Sequence, residues 1–132
     1  MNTKIIMTSS ALFLAALGIL LSFMPTEVAL YLDVAPNSIT ILFIKICSAF
    51  YMGFGILNWM AKETLIGGIY NRPIALGNAM HFGVVTAALV KIIPTLEKHS
   101  EILIALTIVY GIFTILFAYI FKTNPTKVEK AN

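Results

Sequence analysis

Four long, mainly apolar stretches dominate this chain: Ile5 to Met24, Ile39 to Met60, Pro73 to Ile93 and Ile102 to Phe121. Each is close to the roughly 20 residues that a helix needs to cross a bilayer. Local chemistry punctuates them. The first stops at "PTE"; the second follows "APNS", where Pro36 breaks the preceding turn and Asn37 or Ser38 can cap a helix. Pro73 suits a first helical position, where no amide donor is needed, and Pro94 ends the third stretch. After the fourth comes "KTNPTKVEKAN", residues 122–132, a polar tail.

Composition supports the same reading, because 59% of the residues are apolar and only nine Lys/Arg and six Asp/Glu are present among 132. About a quarter of a soluble chain is charged. The expected fold class is therefore all-α: an integral membrane four-helix up-and-down bundle with helices over about 5–24, 39–60, 73–93 and 102–121. A chain this short is expected to form one domain, residues 1–121, located as a multi-pass protein in the cell (inner) membrane. Lys4 before an apolar run has the outline of a signal peptide. The run is long for one, however, and "LSFMPTE" offers no small-x-small cleavage site, so a retained helix is expected.

Orientation follows from where Lys and Arg lie. Lys4, Lys62, Arg72, Lys122, Lys127 and Lys130 fall at the N-terminus, in the second connection and in the tail, which predicts both termini in the cytoplasm. The first connection, "PTEVALYLDVAPNS", carries Glu27 and Asp33 and has an amphipathic pattern that suits a short interfacial helix on the outer face. Lys45 lies near the outer end of the second helix. It is expected to reach the interface and form an outer ion pair with Glu27 or Asp33. Trp59 and Tyr70 suit an interfacial aromatic belt, and Glu97, Lys98, His99 and Glu101 a solvated turn.

Small residues recur at intervals of three and four on the helices. The first has Thr8, Ala11, Ala15, Gly18 and Ser22; the second has Ser48, Tyr51, Gly55 and Asn58; the fourth has Thr107, Gly111, Thr114 and Ala118, with Tyr110 beside them. Membrane helices pack through such strips, because close backbone approach replaces the missing hydrophobic drive.

The segment "NRPIALGNAMHF" carries Asn78 and His81 into this apolar setting. At about 1.5 Å per residue, His81 lies about 12 Å beyond Pro73, level with Tyr51 and Thr114. The candidate ligand-binding set is Asn78, His81, Tyr51, Asn58, Thr114 and Tyr110, with Arg72 and Lys62 at its entrance. Two readings of these groups stand. In one they form a pocket or path, as intramembrane polar groups often do; in the other they hydrogen-bond across helices and hold register.

Several chemistries find no residues. His81 and His99 fall in different layers, which removes a bis-histidine haem, and no paired carboxylates lie at depth. "GFG" at 53–55 sits within a helix and not in a phosphate loop. Cys47 is the only cysteine, so no Cys-based metal cluster forms within one chain. The chain thus has no haem, nucleotide or metal motif, and its scattered positive charges do not suit nucleic acid.

An apolar helix ending at Pro, a short outer segment, the Gly-rich "FYMGFGILNW", a basic connection and two further helices resemble the small four-helix bacterial membrane proteins of the DoxX-like group. The resemblance spans about residues 5–121 and implies, through some members, an association with membrane redox enzymes and quinones. It carries no site residues over, and "GNAMH" departs from it.

The function expected is a small, accessory and non-catalytic membrane protein that binds a lipid or quinone in its inner half. Asn78, His81 and Tyr51 would hold the polar head. Alternatives are an oligomeric channel or transporter, a quinone-linked redox subunit, and a subunit that packs against itself or another membrane protein.

Overall fold

The computed structural model describes residues 2–64, 71–95 and 100–123, and among these the chain is all-helical. Four helices are long and apolar enough to cross a membrane. The elements are α1 (Thr3–Phe23), α2 (Pro25–Tyr31), α3 (Ser38–Ala61), α4 (Arg72–Ile92) and α5 (Ser100–Lys122), with a 3-10 turn over Ile93–Thr95 after α4. The expectations for Tyr70, for the turn Glu97 to His99 and for the tail beyond Thr123 lie outside the described residues.

The helix ends follow from identifiable residues. Asn37 is the N-cap of α3: its backbone is extended and its side-chain oxygen accepts from the Thr40 amide at 2.9 Å, so Asn37 and not Ser38 does the capping. Pro73 falls in the first turn of α4 but one residue inside it, because the helix already starts at Arg72. The first four amides of a helix need no carbonyl partner, so proline fits there too. At the other end, Pro94 is accommodated by the 3-10 turn, since its ring is incompatible with a continuing α-helix. Lys4 lies in the first turn of α1, which starts two residues before the apolar run.

Helix α2, a single two-turn helix with Pro25 in its first turn, occupies the first connection. It closes in a Schellman motif: the Val34 amide donates to the Ala29 carbonyl at 2.9 Å and the Asp33 amide to the Leu30 carbonyl at 3.1 Å. This motif requires a left-handed residue, and Asp33 supplies it at φ 56° in place of the usual glycine. Asp33 therefore has a backbone role that its charge alone did not suggest.

By compactness the chain divides into two units, Met7–Lys62 and Met1–Ile6 with Glu63–Asn132. In the first, α1 and α3 run antiparallel in close contact. Ser10 meets Asn58, Ala11 and Ala15 meet Gly55, and Gly18 meets Ser48 and Met52. A Cβ built on Gly55 would stand 3.2 Å from the Ala15 nitrogen and 3.3 Å from the Ala11 oxygen, so the two backbones approach as closely as glycine allows.

In the second unit, α4 and α5 form an antiparallel pair. Arg72 reaches Phe121, Phe82 packs against Phe113 and Phe117, and Thr86 meets Gly111 and Thr114. Phe82 is the hub, fully buried, with ring centroids 4.8 Å from Phe113, 5.6 Å from Phe117 and 5.4 Å from Tyr110. Contacts across this pair are looser at the glycines: the nearest atom to a Cβ on Gly83 would be the Thr114 methyl at 3.5 Å.

Candidate functional site

The polar groups of the apolar helices are best followed one unit at a time. Within Met7–Lys62, the buried Asn58 donates from Nδ2 to Ser10 Oγ at 3.1 Å, and Ser10 donates in turn to the Met7 carbonyl at 3.0 Å. Ser48, also buried, donates across the helix pair to the Gly18 carbonyl at 2.9 Å. Asn58 and Ser48 thus clamp α1 against α3 on either side of the glycine contact and hold the register of the pair. Tyr51, on the same helix, is half-buried.

In the second unit, Asn78 is fully buried and donates from Nδ2 to the Ile74 carbonyl one turn back, at 2.9 Å. His81 follows on α4, half-buried, with its ring edge-on to Phe82 at 5.2 Å and tilted against Tyr110 at 6.2 Å. Tyr110 is buried on α5. One turn further on, Thr114 donates to the Tyr110 carbonyl at 2.8 Å and shares a 3.2 Å hydroxyl contact with Thr86, which itself donates to the Phe82 carbonyl at 2.7 Å. Each threonine has a single hydroxyl proton, so it donates either to the carbonyl of its own helix or to the other threonine.

The expected binding set is divided by this architecture. His81, Tyr110, Thr114 and Asn78 share the α4–α5 unit, while Tyr51 and Asn58 belong to the α1–α3 unit. Of the first group, His81 and Tyr110 are brought together as neighbouring rings. Arg72 is exposed, with its guanidinium carbon 5.1 Å from the centre of the Phe121 ring. Lys62, half-buried, holds its ammonium 3.1 Å from the centre of the Trp59 ring. Lys45 and Glu27 are exposed, as is Asp33 in its Schellman turn. Among the described residues, an ion pair joins Lys4 to Glu63 at 2.9 Å.

Two sets of contributors escaped the sequence reading. Ser10, the partner of Asn58, lies one position off the small-residue strip of the first helix, and nothing local links it to a side chain on another helix. The aromatic stack of Phe82, Phe113 and Phe117 was legible in part, since Tyr110, Phe113 and Phe117 recur at intervals of three and four.

No family model, no curated protein and no solved structure matches this chain.

Proposed function

We propose that this chain is a multi-pass integral membrane protein, with both termini cytoplasmic, that binds a small amphipathic molecule of the lipid or quinone class beside His81. The membrane part of the reading is supported by how apolar the exposed surface of the long helices is. Ser10, Ser48, Asn58 and Asn78 are buried, whereas Leu12, Ile19, Phe43, Phe50, Met80, Val84, Ile108 and Ile115 are exposed along the four long helices. Exposed apolar area on this scale is a liability in water and the rule in lipid.

The observation that carries the binding reading is the setting of His81. It lies nine residues into α4, about 13 Å along the axis, half-buried and beside Tyr110 at the edge of the aromatic stack. The neighbouring rings of Phe82 and Tyr110 are buried, whereas Met80 and Val84 on the same helix are exposed; a half-buried imidazole among such aliphatic side chains can hold a polar head while they hold a tail. Asn58, Ser48 and Thr114 have hydrogen bonds that fasten helices, which concentrates the site on His81 and Tyr110. The resemblance to DoxX-like proteins adds quinones to the ligand class.

The test is the small-molecule content of protein extracted with its native lipids. A specific lipid or quinone should co-purify with the wild type and be lost from His81→Ala; retention with unchanged affinity would refute the reading. Solute flux through reconstituted liposomes would instead support a channel or transporter, and a visible absorption band a redox subunit.

A further inference from the structure

We propose that the helix ends bearing the α3–α4 connection select anionic phospholipid headgroups through Lys62 and Arg72, each laid on an aromatic ring. The proposal rests on the membrane-spanning reading and is independent of any ligand at His81. The Lys62 ammonium sits 3.1 Å from the Trp59 ring centre at the end of α3, and the Arg72 guanidinium carbon 5.1 Å from the Phe121 ring centre at the start of α4. Two separate helix ends therefore show the same device. Lys122, exposed in the last turn of α5, follows Phe121 and adds a third cation.

The acid of this region is already neutralised, because Glu63 pairs with Lys4 at 2.9 Å. Among the described residues no carboxylate forms an ion pair with Lys62, Arg72 or Lys122. An aromatic face positions a cation without cancelling its charge. A Trp ring settles at the headgroup level, which places Lys62 in the phosphate layer; Arg72, in the first turn of α4, reaches that layer from its helix end, and guanidinium and ammonium groups there match phosphate oxygens. The remaining described acids, Glu27, Asp33 and Glu101, belong to the connection of α2 and the start of α5, at the opposite ends of the helices, with Lys45 and Lys91 as the exposed cations toward that side.

The experiment uses the full chain in phosphatidylcholine vesicles carrying a trace of spin-labelled phosphatidylglycerol or spin-labelled phosphatidylcholine, and reads the motionally restricted fraction of each. The wild type should restrict the anionic label preferentially. A cation near the surface is worth about a fivefold change in local association, so Lys62→Gln with Arg72→Gln should remove most of the preference. The charge-matched control, Lys45→Gln with Lys91→Gln, should retain it. Trp59→Leu with Phe121→Leu keeps every charge but frees the cations, and should weaken the preference. Helical circular dichroism, unchanged in each variant, establishes that the loss is one of recognition. No preference in the wild type, equal loss in both charge variants, or abolition by millimolar inorganic phosphate, which would mark a small-anion site, overturns the proposal. A chain that fails to enter vesicles overturns this inference together with the membrane reading; insertion without lipid preference overturns this inference alone.

Discussion

Asn58 and Ser10 show how a residue read as a candidate ligand contact is drawn into structure. The sequence marks Asn58 as a polar group on a small-residue face, and it is fully buried there; its donor reaches a serine 48 positions away. Interhelical hydrogen bonds in membranes average about 0.6 kcal/mol, because the separated helices also find partners. Asn58→Ala and Ser10→Ala should therefore each destabilise the protein modestly, and the double variant should lose less than the sum, with a coupling of about 0.6 kcal/mol. Unfolding titrations in mixed detergent micelles measure this; strict additivity would show that the pair does not interact. The partner of Asn58 was not legible, since contact between distant side chains depends on helix register. The capping role of Asn37 was legible as one of two choices, because a cap needs only neighbouring residues.

At the level of the helices, the two glycines of "GFG" lie two positions apart and meet opposite environments. A Cβ on Gly55 would press on the backbone of Ala11 and Ala15, whereas one on Gly53 would meet nothing within 4 Å. Gly55→Val should push α1 and α3 apart and cost about 1–3 kcal/mol, the usual penalty for overpacking. Gly53→Ala should be neutral or stabilising, by up to about 1 kcal/mol, through helix propensity alone. Comparing the two variants by the same unfolding titration checks the packing face of α3; equal effects would refute it. The strips of small residues pointed to this face, since Ala11, Ala15, Gly18, Ser48 and Gly55 were all in them. On α4 and α5 the contact face is made instead by rings around Phe82, which in an apolar helix cannot be distinguished by type from rings that face lipid.

For the whole molecule, the membrane topology is the prediction of widest consequence. In a Cys47→Ser background, Asn2→Cys should react with a membrane-impermeant maleimide only from the cytoplasmic side and Asp33→Cys only from the outer side; labelling of both from one side would contradict the proposed topology. The sequence by itself determined the four long helices, the prolines that punctuate them and the small faces available for close contact. Length, hydropathy and the missing amide of proline act locally, and neighbouring residues express them in full. Only the tertiary structure decided that Ser10 answers Asn58, that Gly55 and not Gly53 meets the backbone of α1, and that Arg72 rests on Phe121. Each of these depends on the register and rotation of helices brought together from distant parts of the chain. Hydropathy does not encode that choice, because it does not distinguish one apolar face of a helix from another.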